Sequence, residues 1–549
     1  MSANVISAEL LAKMFLAGAK YLENNKDYIN ELNVFPVPDG DTGTNMTLTI
    51  LSAAKELNAV SHSDMAAVCK AVSGGSLRGA RGNSGVILSQ LIRGFTKVAT
   101  NYNTLGVAEL DEAAQRAVKT AYKAVMKPKE GTILTVAAAV ASKAEELHNA
   151  GVTDMKEYLG AIIEEAKETL ARTPDMLPVL KEAGVVDSGG QGLVEVLQGG
   201  YDLFCGKEID LTFNAPGKKS EKPAAEEELK FSYSAEFEVI LSKNFNIKNE
   251  IDLKEYLESI GDSIMIQTND DETVKVSLNT NDPGLPLQKG LKYGALSGIK
   301  IANLKIKEKT PVAAAAPAPA ALVKKANEPR KKYGFIAVSV GDGINEIFTS
   351  LGVDYIISGG QTMNPSTEDM LNAIENVNAD NIFILPNNKN IIMAANQARD
   401  LTNDKKIVVI PSKTIPQGIT AVISFMAESG VEENEEAMNE GIANVKSGSV
   451  TYAVRDTVID NHEIHQDDFM GIGDDGILSV GTDRDEVTLS MIKEMTDSDS
   501  ELVSVYYGSD VSEEDAEAFQ AKLEEAFPDL DIELQFGGQP IYYYVVSVE

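Results

Sequence analysis

The chain has 549 residues, 43% of them hydrophobic and 24% charged, with a net charge of −34. That length exceeds what one core supports, so three or four domains are expected, and the acidic balance argues against nucleic-acid binding and anionic lipid surfaces. No apolar run is long enough to insert stably in a membrane, Glu9 and Lys13 interrupt any signal peptide, and Cys69 and Cys205 lack metal or redox spacing, so a cytoplasmic protein is expected.

Residues 1–205 read as helical. Leu10, Leu11, Met14, Phe15, Gly18, Tyr21 and Leu22 recur at helix spacing, as do Leu159, Ile162, Ile163, Ala166 and Leu170. Within this region, residues 33–46 place Asp39 and Asp41 two apart, with the amide of Asn45 just beyond. Pro36 and Pro38 hold the approach extended, while Gly40 and Gly43 permit a tight backbone. Adjacent carboxylates repel, so holding them together favours a divalent cation. Oxygen-only donors suit Mg²⁺, which commonly accompanies a nucleotide phosphate. A calcium EF-loop needs Gly and Glu where, counting from Asp39, Thr44 and Ile50 stand. Taken alone, the pair is equally a turn with a helix N-cap.

Residues 73–85 hold five glycines and lead into the apolar run 86–92. Such a loop feeding a helix start offers N–H groups and a positive dipole end to phosphate. Its spacing is neither that of a P-loop nor that of a dinucleotide fingerprint, and a flexible surface loop is the plain alternative. Residues 131–136 and 186–192 are similar Gly/Ser/Thr-rich helix starts.

Asp39-Gly-Asp-Thr-Gly-Thr-Asn45, Gly82-Asn-Ser-Gly85, Glu130-Gly-Thr-Ile-Leu-Thr135 and Asp187-Ser-Gly-Gly190 resemble the nucleotide-binding subunit of bacterial dihydroxyacetone kinases. The fuller wording, Asn33-Val-Phe-Pro-Val-Pro38 and Gly184-Val-Val-Asp187, is closer to the ATP-binding component of bacterial fatty acid kinase. The resemblance implies an antiparallel all-α helical barrel over residues 1–205, with ATP and two Mg²⁺ ions in its mouth. Asp39 and Asp41 would be the catalytic, metal-holding pair. Dihydroxyacetone kinases carry a further Asp before that pair, a role that falls here to Asn33 or to no residue. Thr44, Asn45, Gly82, Asn83, Ser84, Gly85, Thr135, Asp187, Ser188 and Gly189 would line the nucleotide.

Beyond a polar connector at 214–228, residues 229–308 read as a middle α/β domain. In many fatty acid kinase relatives this domain holds zinc on one Cys and two His. The matching positions are Ser234, Ser277 and Asn279, and the segment contains neither Cys nor His, so zinc is expected to be absent. Residues 309–332 form an Ala/Pro-rich, then basic linker.

In the C-terminal domain, 333–549, strand runs at 334–340, 355–357, 381–385 and 406–410 alternate with helical segments at 343–351, 366–377 and 390–401. That rhythm predicts an α/β domain with a mainly parallel sheet. Ligands bind such sheets at strand C-ends, here residues 359–367 and 386–390. A further β/α portion from about 450 closes on a terminal strand. The resemblance makes this domain the docking site of a fatty-acid-loaded carrier; loops without a ligand are the plain alternative.

The chemistry so implied is ATP-dependent phosphorylation of a carrier-bound fatty acid, giving an acyl phosphate for phospholipid synthesis. A fatty acid carboxylate is already ionised at neutral pH, so its attack needs no general base. The obstacle is anion meeting anion, which bound cations and backbone N–H groups would relieve. A homodimer commonly accompanies this architecture. The competing readings are a dihydroxyacetone-type small-molecule kinase and a nucleotide-sensing scaffold without turnover.

Overall fold

The computed structural model describes residues 4–33, 40–125, 127–213, 233–241, 253, 256–257, 261–269, 273–281, 283–303, 329–360, 363–453, 456–459, 462–474 and 476–549. Two compact units result: residues 1–213 with 324–549, and residues 214–323.

The first part of the larger unit is helical. Its helices are α1 (Ala8–Asn24), α2 (Lys26–Glu31), α3 (Thr42–Leu57), α4 (Met65–Gly79), α5 (Gly82–Ala99), α6 (Val107–Ala124), α7 (Ile133–Asn149), α8 (Met155–Met176), α9 (Pro178–Ala183) and α10 (Ser188–Phe204). Two short strands, β1 (Ile6–Ser7) and β2 (Thr104–Leu105), pair antiparallel. Polar side chains fix several starts: Ser7, Asp64, Asp154 and Asp187 each accept N–H groups from the turn that follows. Neighbour packs against neighbour through α1, α3, α5, α6, α7 and α10, and α10 returns to α1, closing a barrel. The interior holds an apolar cavity of about 260 Å³, lined by side chains such as Phe15, Val72, Phe95, Val140, Tyr158 and Leu197.

The five-glycine segment at 73–85 is not a loop. Helix α4 runs through Gly79 and α5 begins at Gly82, so only Ala80 and Arg81 connect them. The glycines serve helix contact instead: a Cβ at Gly75 would lie 2.6 Å from the Ala53 Cα, and one at Gly79 would lie 2.2 Å from the Ser52 Cβ. Absent side chains there let α4 lie directly on α3.

In the smaller unit, β3 (Tyr233–Leu241), β4 (Gly261–Asn269), β5 (Thr273–Thr280) and β6 (Gly294–Asn303) form an antiparallel sheet in the order β4-β5-β3-β6. Phe237, Val239, Val274, Val276 and Leu278 alternate onto one face, where Leu253 and Leu257 cover them. Helix α11 (Gly284–Gly290) precedes β6. Ser234 pairs with Asn279, and Ser277 lies opposite Glu236, so the backbone register brings the three zinc-equivalent positions together.

The larger unit resumes with β7 (Lys331–Ser339), α12 (Asp342–Ser350), β8 (Tyr355–Ser358), α13 (Thr367–Asn376), β9 (Ala379–Leu385), α14 (Ile392–Leu401) and β10 (Lys406–Val409). These strands form a fully parallel sheet in the order β10-β9-β7-β8, with buried residues on both faces. After α15 (Ile415–Ile423) and α16 (Val431–Ala443), a second sheet gathers β11 (Lys446–Tyr452), β14 (Phe469–Ile472), β15 (Ile477–Gly481), β16 (Leu502–Tyr507), β17 (Asp531–Phe536) and β18 (Tyr544–Val548). Helices α17 (Arg484–Met495) and α18 (Glu513–Ala526) cover it, and β12 (Thr457–Ile459) with β13 (His462–Ile464) forms a side hairpin. Only β16 and β17 pair parallel in this sheet. The terminal strand lies inside it, between β11 and β16, with all five residues buried.

Candidate functional site

Asp41 stands at the start of α3 and is 9% exposed. Gly40 before it has φ +47, a left-handed conformation that glycine adopts without penalty. Gly43 packs its helix turn against α2, since a Cβ would meet the Lys26 carbonyl at 2.1 Å. Asn30, to which the sequence reading gave no role, grips Thr44 twice: its Oδ1 accepts from the Thr44 N–H and its Nδ2 donates to the Thr44 hydroxyl, both at 3.0 Å. Asn33 lies just past α2, half-buried, with its N–H donating to the Asn30 carbonyl. Burial pushes the Asp41 carboxyl above the usual carboxylate range, opposed by hydrogen bonds from Asn45 and Asn364. Asp39 and the preceding residues 34–38 lie outside the described residues.

The start of α5 abuts that of α3. Gly82 has φ +57, and a Cβ on it would lie 2.5 Å from Asn45 Nδ2; one on Gly85 would lie 2.3 Å from Thr49 Oγ1. Thr49 ties the two helices, donating to the Asn45 carbonyl and accepting from the Arg81 N–H. Asn83 donates to Asn390 at 3.1 Å, while its Oδ1 is buried with no hydrogen-bond partner among the described residues. Ser84 follows, half-buried in the same helix turn.

A second pair of helix starts, α7 and α10, meets at Asp187. Its carboxylate accepts the Gly190 N–H at 2.7 Å and also the Ile133 N–H, and burial raises its pKa to about 6. Gly189 lets α10 close on α7: a Cβ would lie 3.3 Å from that of Ile133. Ser188 is buried beside it. Thr135 accepts the Gly131 N–H and donates to Glu130, closing the turn before α7. The two pairs adjoin, because Gly192, one turn into α10, faces Met46, one turn into α3.

Four helix N-termini, of α3, α5, α7 and α10, therefore share one end of the barrel. Their dipoles and first-turn N–H groups make that end attractive to a polyanion. Asp187 is spoken for as a cap, while Asp41 presents a carboxylate without a capping bond. No group of three His, Cys, Asp or Glu side chains gathers among the described residues. The oxygen donor at Asp41 and the orphaned acceptor of Asn83 nonetheless fit a magnesium-bound nucleotide.

The C-ends of the parallel strands face this same end. The segment after β8 brings Asn364 onto Asp41, and the segment after β9 brings Asn390 onto Asn83.

Comparison with known proteins agrees with this architecture. Residues 36–202 match the DAK2 domain, residues 230–310 the FakA-like middle domain of fatty acid kinase, and residues 334–549 the FakA-like C-terminal domain of the same kinase. Protein YloV of Bacillus subtilis (strain 168) is 42% identical over 560 residues, covering 100% of both chains. The chain belongs to the FakA-like fatty acid kinase family. An uncharacterized protein of Staphylococcus aureus (strain USA300) is also 42% identical, over 559 residues and 99% of each chain. The crystal structure of the dihydroxyacetone kinase of C. freundii is similar at 17% identity over 36% of each chain with a TM-score of 0.27, too slight a likeness to bear on the site. Members of this family carry domains of a kinase-type phosphotransferase. No helix among the described residues is long and apolar enough to cross a membrane.

Proposed function

We propose that this chain is the ATP-binding, catalytic component of a fatty acid kinase, phosphorylating the carboxylate of a fatty acid presented by a separate carrier protein. The observation that carries this reading is the convergence of four helix N-termini beside the buried Asp41 carboxylate, in a full-length relative of that family. Bound Mg²⁺, on Asp39 and Asp41 with Asn33 as a candidate third ligand, would offset the phosphate charge. The N–H groups at the starts of α5 and α10 would hold the phosphates, and Thr44, Asn45, Asn83, Ser84 and Thr135 would orient the nucleotide.

The acceptor carboxylate arrives ionised, so the chain's own task is to bring two anions together and exclude water. We assign the kinase to residues 1–205, a middle domain to 229–308, a linker to 309–332 and carrier docking to 333–549. The protein would act in the cytoplasm as a homodimer, with no zinc in the middle domain.

ADP release in the presence of Mg·ATP, oleate and a fatty-acid-binding carrier tests the reading. Release should require both oleate and carrier, and Asp41→Ala or Asp39→Ala should lower it by roughly a hundredfold or more. Wild-type rates in either variant would contradict the site. Release driven instead by small hydroxyketones would move the assignment to a dihydroxyacetone-type kinase, and tight ATP binding with no release under any acceptor would favour a nucleotide-sensing scaffold.

A further inference from the structure

Asn364 reaches Asp41 from 323 residues away in sequence, its Nδ2 donating to Oδ2 at 2.6 Å. The contact is buried: Asn364 is 3% exposed and Asp41 9%. Its place is set by the connector between α4 and α5. Arg81 Nη1 donates to the Asn364 carbonyl at 2.8 Å and lies 3.4 Å from Asp369. The Thr367 N–H donates to the Ala80 carbonyl at 3.1 Å, and Arg81 and Ser366 form an isolated antiparallel bridge. Gly82 leaves the room, since a Cβ there would sit 3.4 Å from Asn364 Nδ2 as well as crowding Asn45. Farther from Asp41, Gln397 fastens the same two surfaces, donating to the Leu77 carbonyl at 2.7 Å and accepting from Gln90 at 2.9 Å.

We propose that Asn364 is a positioning residue of the phosphoryl-transfer site, fixing one oxygen of the Asp41 carboxylate so that the other is aimed at the nucleotide's cation. This rests on the kinase reading of Asp41 given above. A carboxylate at a helix start turns about its last bond; the Asn364 donor on Oδ2, together with the Asn45 amide that also bonds this carboxylate, stops that rotor. A neutral amide does so without adding charge, whereas a carboxylate at 364 would repel Asp41. Hydrogen-bond partners of metal-binding carboxylates typically govern affinity or activity by about 10–100-fold. The site is thus assembled from both ends of the chain, and the C-terminal region takes part in the kinase chemistry besides any role in docking a partner.

The test uses the full-length protein, Mn²⁺ in place of Mg²⁺ and a non-hydrolysable ATP analogue, with bound Mn²⁺ read by electron paramagnetic resonance. Asn364→Ala should weaken Mn²⁺ binding roughly tenfold or more and lower kcat more than it raises the KM for ATP. Gln90→Ala removes the α5 side of the Gln397 contact without loosening the Thr367 bonds beside Asn364, and should leave Mn²⁺ affinity at the wild-type level. Unchanged Mn²⁺ affinity in Asn364→Ala overturns the proposal, as do equal losses in both variants, which would make the contact mere adhesion. Faster turnover in Asn364→Ala also overturns it, by making the 363–367 segment a block rather than a support. These outcomes spare the kinase reading. Wild-type protein that binds no Mn²⁺ with the nucleotide analogue removes that reading, and this proposal with it.

Discussion

Asp187 holds two helix starts with one buried carboxylate, and the consequence is a stability that depends on pH. Its pKa rises from 3.8 to about 6 on folding, chiefly because burial disfavours the charge. Between those values the folded protein keeps a proton that the unfolded chain has released. The stabilisation is therefore complete below the unfolded value and is lost as pH rises through about 6. The full change is on the order of 3 kcal/mol. Asp187→Asn retains an N-cap acceptor but no titration. Urea midpoints measured from pH 4 to 7 should show wild type losing ground to this variant as pH rises; parallel curves would contradict the account. Motif wording made Asp187 visible as a candidate ligand, yet its capping of two helices depends on α7 and α10 meeting, which no local pattern encodes. The same holds for Asn30, a plain helix-end amide in sequence that clamps Thr44 in the fold.

At the scale of elements, helix α4 shows how a composition signal can point to the wrong structure. Gly74, Gly75 and Gly79 read as loop residues because glycine is a poor helix former. At Gly75 and Gly79 the missing side chain is used for contact with α3, the helix that begins beside Asp41. Gly75→Ala should therefore gain helix propensity yet lose stability by roughly 1–3 kcal/mol, since backbone blocks the added methyl. A melting temperature at or above that of wild type would refute this. Tyr158 tests the barrel interior: its hydroxyl is buried without a partner among the described residues, on a largely apolar cavity. Tyr158→Phe removes that unsatisfied group and should leave stability unchanged or raise it by about 1 kcal/mol. A clear loss in the same thermal melt would mean the hydroxyl has a partner in solution.

Across the whole molecule, what was legible in sequence tracks how local its cause is. The four parallel strands and their helices fall where period and turn residues placed them, because buried strands and amphipathic helices announce themselves within ten residues or so. The strand at Tyr544–Val548 was equally plain as a strand. Its insertion between β11 and β16, about 40 to 100 residues upstream, was not, because pairing partners leave no local mark. The helix-start motifs around Asp41 and Asp187 were readable as separate pieces; their meeting, and the arrival of Asn364 from the C-terminal region, depend on tertiary packing alone.

The central claim, phosphoryl transfer to a carrier-presented fatty acid, is tested most directly by hydroxylamine trapping of an acyl phosphate. Wild-type protein, Mg·ATP and oleate should yield oleoyl hydroxamate only when a fatty-acid-binding carrier is present, and Asp41→Ala should yield none. Absence of hydroxamate from the complete mixture, with the carrier shown to be loaded, would contradict the account.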